Sequence, residues 1–520
     1  MNALFLTQAG SLETFHRLAQ ALRPLGLERA GFVVTDSRYF HETFLPQHPG
    51  FESQGQALLK EWELYARALA GRAEPTALAE LEQRLGAPYL WDALVADRRI
   101  YLGRKATFTQ DYAPSFSHPQ MLSILQHMAL ALEALFDQVQ PDMVVSFICV
   151  TMADYLGWRV AASRGIPYLN LRPTRIRNYF YAGESPLEPS AWLWRAYERR
   201  RTAGGDTTAA AAYLAEVRGQ SARYEGVIAP SAKPMEQALG PGEQPGPAAR
   251  LARAWGQWRD YQSKYRRDPH VPPLVSQTIY RRVVKPWRAW SLDQRLRPHY
   301  LSPDQLAAGS FAFFPLHKEP EVTLLVYSKP YLNQIEACRL IASSLPVGLK
   351  LVVKEHPGSV GARKPGFYSK LLQIPNLALA PPELDARRLI EKAALIAVIA
   401  GSVGFEALML GRPVLTLGNA PFNCLPPSML RQATQPLRLS QEVAGLLAGH
   451  QHDEQALLAY LSTVMENSCP VDWYSLFLGR QGVHTVGNEE GDRQARQEEQ
   501  TGRLAEYLLR RAAEIKAGAA

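Results

Sequence analysis

The stretch that decides the fold is Leu351-Val352-Val353-Lys354-Glu355-His356-Pro357-Gly358, with a counterpart further on in Ala400-Gly401-Ser402-Val403-Gly404-Phe405-Glu406-Ala407. Each stretch completes a hydrophobic run that ends in polar and glycine residues. This pattern is typical of buried parallel strands, whose carboxyl ends carry the ligand-binding residues of an open α/β sheet. We therefore predict a doubly wound sheet with a site where these two strands end.

Strands alternate with helical patterns in two separate parts of the chain. The predicted strands of the first part are residues 3–6, 31–35, 142–147 and 166–171, and those of the second are residues 322–327, 349–354, 377–379, 394–400 and 413–417. Alternation of this kind indicates parallel sheets wrapped by helices. The fold class predicted is α/β, with two doubly wound, Rossmann-like domains facing a cleft.

The changes in pattern also predict domain limits. Residues 1–185 are expected to form a first Rossmann-like domain on the acceptor side, with a helical insertion at about 46–136. Residues 186–309 are predicted to be a helical, basic linker with a flexible segment rich in proline and glycine at 240–247. Residues 310–435 are expected to form the second Rossmann-like domain, and residues 436–520 to be helical.

Charge is concentrated in the linker. Residues 250–297 contain twelve basic and three acidic residues, an excess of +9, whereas the whole chain has a net charge of +8. Trp255, Trp258, Trp287 and Trp290 lie among these charges. A helical face that solvates itself is the simpler interpretation, and an anionic membrane surface is the alternative. No recognised nucleic-acid-binding module accompanies the charge, so a nucleic-acid partner is not expected.

Composition predicts a cytoplasmic protein. A hydrophobic content of 47% and a charged content of 20% are ordinary for a soluble globular chain. The four cysteines are scattered, which disfavours both a disulfide framework and a zinc site. Neither a basic leader nor an apolar run long enough to span a bilayer is recognisable in the sequence.

The first candidate site is the group Lys354, Glu355, His356 and Pro357. Proline after His356 restricts the backbone and holds the imidazole in an extended turn at the strand end. There it can donate to a phosphate or sugar oxygen, or it can simply cap the turn that follows. Lys354 can supply charge to a phosphate or pair with a carboxylate. Glu355 can grip ribose hydroxyls, orient His356 or be a solvated loop acid.

The second candidate site is the helix start at Gly401, Ser402 and Val403. Free backbone N–H groups at a helix N-terminus can hold a phosphate, and Ser402 is a candidate cap. Glu406 follows Ser402 by four residues instead of the three that a capping box requires, so we interpret it as a ribose contact. A first-turn acid favoured by the helix dipole is the alternative.

Softer candidates come from two other segments. Arg172, Arg175 and Arg177 follow a predicted strand and can clamp an anionic phosphate or acceptor, or can be solvated loop residues. Residues 314–321 are expected either to line the cleft or to pack between the domains. For a base in the first domain Asp36, Asp111 and Asp154 are available, and none is singled out by spacing.

These motifs together resemble the bacterial capsule polysaccharide biosynthesis family, which includes transferases that add Kdo from CMP-Kdo to a lipid-linked acceptor. The resemblance rests on Lys354-Glu355-His356-Pro357, on Gly401-Ser402-Val403-Gly404-Phe405-Glu406-Ala407-Leu408 and on Gly411-Arg412-Pro413-Val414. The segments 314–321 and 175–179 are also similar. It implies a GT-B glycosyltransferase that needs no metal or other cofactor, with a nucleotide-sugar donor held by the second domain.

The resemblance implies roles for individual residues. His356 and Pro357 match the family's His-Pro element near the donor phosphate, Ser402 its phosphate-contacting serine, and Glu406 its acid in the following helix. The expected reaction transfers a sugar to a glycan or glycolipid acceptor in the cytoplasm, with a peripheral position on the inner membrane as a further expectation. A nucleotide-sugar epimerase and a non-catalytic nucleotide-sugar-binding protein of polysaccharide export are the alternatives.

Overall fold

The structure is a computed structural model, and it describes residues 1–87, 89–177, 179–219, 247–308, 311–471 and 490–518. The predicted flexible segment at 240–247 therefore lies almost wholly outside the described residues. Two sheets organise the described part of the chain.

The first sheet has the strand order β13-β6-β5-β4-β1-β2-β3. Its central strands are almost entirely buried because helices cover both faces, as their unbroken runs of hydrophobic residues require. The five strands β3, β2, β1, β4 and β5 pair in parallel. At one edge β6 pairs antiparallel with β5, and β13 pairs antiparallel with β6. The strands are β1 (Asn2–Leu6), β2 (Arg29–Val34), β3 (Ala57–Lys60), β4 (Met143–Ser146), β5 (Tyr168–Pro173), β6 (Tyr179–Gly183) and β13 (Cys469–Pro470).

Helices of the first domain fill the connections between its strands. The main ones are Ser11–Leu22, Glu61–Ala70, Pro75–Arg84, Trp91–Ala96, His118–Val139 and Met152–Ser163. The segment predicted as a helical insertion at about 46–136 also contains the strand β3, which pairs with β2 at the sheet edge. The alternating burial of β3 shows why it was missed: a four-residue edge strand gives little periodicity.

The second sheet is parallel throughout, with the order β12-β11-β10-β7-β8-β9. Its strands are β7 (Phe311–Pro315), β8 (Lys350–Lys354), β9 (Leu377–Ala380), β10 (Leu395–Val398), β11 (Val414–Thr416) and β12 (Leu430–Gln432). The helices between them are Gln334–Ser343, Pro365–Leu371, Ala386–Lys392 and Ser402–Met409, and Leu439–Gly449 follows β12. The predicted fold class, α/β with two doubly wound, Rossmann-like domains, is confirmed.

One predicted strand is wrong. Residues 322–327 form a wide helical turn, Thr323–Tyr327, instead of a strand, and the strand of this region is β7. The turn divides its apolar side chains between the two domains: Leu324 packs in the core of the second, whereas Leu325 and Val326 pack in that of the first. A short apolar run fits either structure, and here packing between the domains selects the helical one.

The linker and the last part of the chain are mostly helical. The linker contains Ala191–Ala203, Thr208–Arg218, Pro247–Asp260, Leu274–Ile279, Lys285–Leu296 and Pro303–Ala308, and Glu454–Glu466 and Glu490–Lys516 follow the second domain. Glu454–Glu466 packs on Ala191–Ala203, and Glu490–Lys516 packs on Ser11–Leu22 of the first domain. The prediction of helices alone for 436–520 needs correction, because β13 in this stretch joins the first sheet.

Each sheet has a point where the strand order changes direction. In the first sheet it lies between β1 and β4, and in the second between β7 and β10. Crevices at the carboxyl ends of such strands are the usual ligand sites of open α/β sheets. The residues that follow these four strands therefore define the place to look for a site.

Candidate functional site

A cleft of about 800 Å³ lies between the carboxyl ends of the two sheets. From the first domain it is lined by Gln8 after β1 and by Phe147, Ile148 and Val150 after β4. From the second it is lined by His317 after β7, His356 after β8 and the helix start at 401–403 after β10. The histidine and the glycine–serine turn singled out in the sequence thus border one cavity.

His356 presents a defined tautomer to this cleft. Its Nδ1 accepts a hydrogen bond of 3.0 Å from the backbone N–H of Gly358, so a neutral ring carries its hydrogen on Nε2. Burial lowers the pKa of His356 below its ordinary value, although the charge of Glu321 opposes this. The ring is therefore neutral at pH 7 and can donate from Nε2.

His317 and Glu321 form an imidazole–carboxylate pair on the wall of the cleft. Nδ1 of His317 lies 3.0 Å from Oε2 of Glu321, and Nε2 is buried without a hydrogen-bond partner among the described residues. Burial alone would raise the pKa of Glu321, but the hydrogen bond from His317 and the nearby charges of Arg175 and His356 lower it below its ordinary value. The carboxylate is ionised, and it holds the ring with Nδ1–H towards itself and Nε2 available for a ligand.

The helix Ser402–Met409 opens against this imidazole. Gly401 precedes it in an extended conformation and makes no side-chain cap, so Ser402 is the first helical residue and does not act as the expected cap. A Cβ on Gly401 would lie 3.1 Å from Cε1 and 3.2 Å from Nε2 of His317. The first N–H groups of the helix, which can bind an anion, thus face the same space as Nε2 of His317.

Glu355 occupies a different position from the one expected for a catalytic residue. It is buried on the far side of the strand end, where Oε2 accepts from Nε of Arg363 at 2.7 Å and from Tyr368 Oη at 2.8 Å. Oε1 accepts from the backbone N–H of His356 at 2.7 Å. Glu355 does not line the cleft, and its contacts position the neighbouring histidine.

Arg363 links the two histidine segments from below. Besides Glu355 it contacts Oε1 of Glu319 at 2.6 Å and the carbonyl oxygen of His317 at 2.5 Å. Its guanidinium also stacks over Phe367, with 4.4 Å between the cation and the ring centroid. Sequence reasoning missed this residue, since nothing in the local pattern of Arg363 marks it as the partner of strand ends 8 and 46 residues earlier.

Of the other residues proposed from the β8 and β10 motifs, Val403 lines the cleft, whereas Lys354, Pro357 and Glu406 lie around it. Lys354 is buried and donates from Nζ to the carbonyl of Pro382 at 2.9 Å. Pro357 starts the short helical turn Pro357–Ser359 beside the cleft. Glu406 is half-buried one turn into its helix and is not a lining residue, whereas Val403 is one.

The three arginines after β5 differ in their surroundings. Arg172 reaches the cleft but is fully buried in a 2.6 Å ion pair with Glu188. Arg175 lines the cleft with a left-handed backbone (φ 67°), an uncommon conformation for a residue other than glycine. Arg177 turns outward and pairs with Glu216 at 3.1 Å. Of the three, Arg175 is the one placed to meet an anionic ligand.

The carboxylates considered for the first domain have structural surroundings. Asp36 caps a helical turn through the N–H of Tyr39, and Asp111 pairs with Arg288 at 2.7 Å. Asp154 accepts a hydrogen bond from the side chain of Gln8. Burial raises the pKa of Asp154 to about 7, although hydrogen bonds from Thr151 and Val150 oppose this.

No group of three or more potential metal ligands occurs within the described ranges. Among their helices none is long and apolar enough to cross a membrane.

Comparison with known proteins gives one family match. Residues 331–428 match the family described as "Capsule polysaccharide biosynthesis protein". No curated protein matches the chain at a significant level. The matched segment covers β8 to β11 and so contains both strand ends that carry the quoted motifs.

Solved structures give weaker likenesses. The beta Kdo 2,4 transferase of Thermosulfurimonas dismutans KpsC is 15% identical over 62% of this chain and 79% of its own, with a TM-score of 0.29. Its beta Kdo 2,7 transferase is 14% identical over 69% and 84%, with a TM-score of 0.30. A UDP-GlcNAc 2-epimerase from Neisseria meningitidis is 11% identical over 89% and 98%, with a TM-score of 0.28. Likenesses at this level do not decide between a transferase and an epimerase.

The family match therefore has to be weighed with the geometry of the site itself. It spans the segment in which His356, Gly401 and Ser402 border the cleft. The resemblance predicted from the motifs is confirmed over this segment: residues 331–428 match the capsule polysaccharide biosynthesis family.

Proposed function

We propose that the protein is a glycosyltransferase of surface or capsular polysaccharide assembly, which moves a sugar from a nucleotide-activated donor to a glycan or glycolipid acceptor. One observation carries the proposal: Nε2 of His317, which has no partner among the described residues, and the mouth of the helix Ser402–Met409 meet in a cleft that His356 also borders. The helix N–H groups and Nε2–H of His356 suit the phosphate through which a nucleotide leaves the sugar, and Nε2 of His317 can share a proton with it.

The chemistry asked of these residues is electrostatic. As the bond between the anomeric carbon and the phosphate oxygen breaks, the electron pair stays on the phosphate. We expect that developing charge to be stabilised by Nε2–H of His356, by the N–H groups of Ser402 and Val403, and by the charge of Arg175, all of which border the cleft. The acceptor oxygen forms the new bond, and its proton passes to water.

His317 is the strongest candidate for a proton donor to the leaving phosphate. Its Nδ1 is held by ionised Glu321, and Nε2 faces the space in which a phosphate at the helix mouth would lie. Because these donors are all protein groups, we expect transfer to proceed in the presence of EDTA. The nucleotide sugar is then a substrate, and no further cofactor is required.

The test uses His317→Ala and His356→Ala, with His299→Ala at an exposed position of the linker as the matched control. Transfer is followed with CMP-, UDP- and GDP-activated sugars on a panel of glycan and glycolipid acceptors, and the family resemblance makes CMP-Kdo the first donor to try. We expect each cleft variant to lose about two to four orders of magnitude in turnover. Near-normal turnover in a folded His317→Ala protein would reject the assignment.

Two controls separate the proposal from its rivals. Incubation with the donor alone would produce new sugar isomers if the protein were an epimerase. Thermal shifts with CMP, UDP and GDP measure binding, since a ligand of the native state raises its stability by mass action. A nucleotide that binds, together with no transfer to any acceptor, would instead favour a binding protein of polysaccharide export.

A further inference from the structure

An unusual share of the exposed apolar surface lies on the linker. Of the thirteen large hydrophobic residues that are exposed in the described part of the chain, seven fall between residues 251 and 290. They are Leu251, Trp255, Trp258, Ile279, Val283, Trp287 and Trp290. We call this set the aromatic face. Single exposed apolar residues need no explanation, whereas a concentration of this kind does.

The spacing of these residues places them on two helical stripes. Leu274–Ile279, Tyr280–Val284 and Lys285–Leu296 follow one another as continuous helical backbone. Ile279, Val283, Trp287 and Trp290 recur on it at intervals of four, four and three, which is one face of a helix. The same helix buries Tyr280, Leu292 and Leu296 elsewhere on its circumference. These three residues pack against the protein, so the exposed stripe is not the side that faces the core.

The second stripe belongs to the neighbouring helix Pro247–Asp260. Leu251, Trp255 and Trp258 are again spaced by four and three, and the two indole rings stack with centroids 4.9 Å apart. Contacts join this helix to Leu274–Ile279. Trp255, Trp287 and Trp290 remain 63 to 65% exposed although the helices that carry them are packed on the protein.

Unpaired cations lie in the same linker segments as the aromatic face. Seven exposed arginines of the linker form no ion pair with any residue that the structure describes: Arg253, Arg259, Arg266, Arg267, Arg281, Arg282 and Arg295. Other linker cations are neutralised, for example Arg288 by Asp111 and Arg297 by Asp293. The surface therefore combines indole rings with a local excess of positive charge.

We propose that the aromatic face docks on the surface of a lipid bilayer with anionic headgroups. Indole rings favour the boundary between headgroups and acyl chains, where the ring is apolar on one side and the N–H stays hydrated. Each arginine beside such a surface is attracted by its negative potential. A second copy of the chain is a poorer occupant, because the same cations would then face one another.

Docking would also orient the cleft. Arg281 and Lys285 line the cleft from the same continuous helix that carries Ile279, Val283, Trp287 and Trp290. Nζ of Lys285 donates to the carbonyl oxygen of Gly358 at 2.9 Å, two residues after His356. A bilayer at the aromatic face would therefore lie beside one rim of the cleft. If the proposed function is right, this suits an acceptor whose sugar is carried by a lipid; the docking itself does not depend on that function.

The test is flotation of the full-length protein with vesicles of mixed phosphatidylglycerol and phosphatidylcholine, compared with pure phosphatidylcholine. We expect binding to the anionic vesicles that weakens as salt is added. Trp287→Ser with Trp290→Ser should lower the partition coefficient between vesicle and water by roughly tenfold per tryptophan, because each substitution removes a ring whose apolar area would be buried in the bilayer. Arg282→Gln with Arg295→Gln should lower it by about fivefold per arginine, on anionic vesicles only.

The matched control is Val347→Ser with Leu437→Ser, two highly exposed apolar residues outside the linker. It should leave binding unchanged, and an equal loss in this variant would overturn the proposal. So would wild-type protein that fails to float with anionic vesicles. A dimer in solution that the tryptophan variant converts to a monomer would assign the face to a second copy instead.

Transfer to a water-soluble acceptor is measured on the same variants. Flotation that fails while this transfer persists would reject the docking and leave the proposed function standing. Flotation without any transfer would support the docking and reject the proposed function.

Discussion

Arg363 offers the sharpest test of how the cleft is supported. Its guanidinium lies between two carboxylates, Glu355 at 2.7 Å and Glu319 at 2.6 Å, and is 2% exposed. Arg363→Met keeps the length and apolar volume of the side chain but removes the charge. The variant leaves the buried Glu355 and the half-buried Glu319 without their shared cation, and breaking a buried pair such as Arg363–Glu355 costs about 3–5 kcal/mol.

The cost should depend on pH in a stated direction. Burial already raises the pKa of Glu355 above its ordinary value, and Arg363 is the main group that opposes this. Without Arg363 the folded-state pKa rises further, so the folded protein binds a proton that the unfolded chain has lost. The stability of the variant should then be closest to wild type near pH 4.5 and fall as the pH rises through the folded-state value.

Native-state hydrogen exchange is the suitable assay, because it reports the opening of one region in a protein of several domains. Peptides that cover β7 and β8 should lose roughly two to four orders of magnitude in protection at pH 8. Peptides from the first sheet should change little. Arg84→Met is the matched control, since Arg84 makes a two-point contact with Glu133 but is 49% exposed, and its loss should cost about 1 kcal/mol or less.

A loss of protection that is independent of pH would refute this reasoning, because it would show that the carboxylates are not the source of the cost. A second variant separates charge from packing. Glu355→Gln added to Arg363→Met removes one of the stranded acids and should recover part of the lost protection. Failure of the double variant to recover any would point to packing on Phe367 instead.

Three further predictions concern the cleft and its walls. Gly401→Ala should lower turnover by roughly tenfold, because the new methyl group displaces the ring of His317. Thermal stability should change little, since the backbone at this position (φ −78°) accepts alanine. Unchanged steady-state kinetics would contradict the prediction. Affinity for a nucleotide should increase as the pH falls below 6.5, because 6.5 is the ordinary pKa of a histidine and burial lowers the pKa of His356 below it. Calorimetry should find no such increase in His356→Gln. Titration of the phosphate affects both proteins alike and cancels in the comparison. Arg172→Met should destabilise the first domain by about 3–5 kcal/mol in exchange experiments, since it strands a buried carboxylate, whereas Arg175→Met should weaken nucleotide binding and leave exchange unchanged.

Much of the fold could be predicted because its signals are local. The run before His356 is apolar on both faces and ends at a proline, so β8 and its polar end follow from a few consecutive residues. The same holds for β10 and the helix Ser402–Met409. The run at 322–327 failed because five apolar residues fit a strand or a helical turn equally well, and contacts with the other domain decide between them.

The site was predicted in part for the same reason. Side chains alternate along an extended strand end, so Glu355 and His356 point to opposite sides. This alternation by itself predicts that Glu355 points away from a cleft that His356 faces. His317 had a local signal in its spacing from Glu321, one helical turn, but only the fold brings the ring to Gly401. Arg363 had none, because its partners are joined through tertiary structure alone.

The path of the chain after the second domain has a practical consequence. The strand Cys469–Pro470 and the helix Glu490–Lys516 return to the first sheet, where Tyr507 Oη accepts from the backbone N–H of Ala182 at 2.9 Å. The two halves are thus tied by two crossings, and no single cut separates them into independent pieces. A deletion of the last helix should therefore damage the half that lies farthest from it in sequence, and a hinge motion that opens or shuts the cavity must bend two connections together.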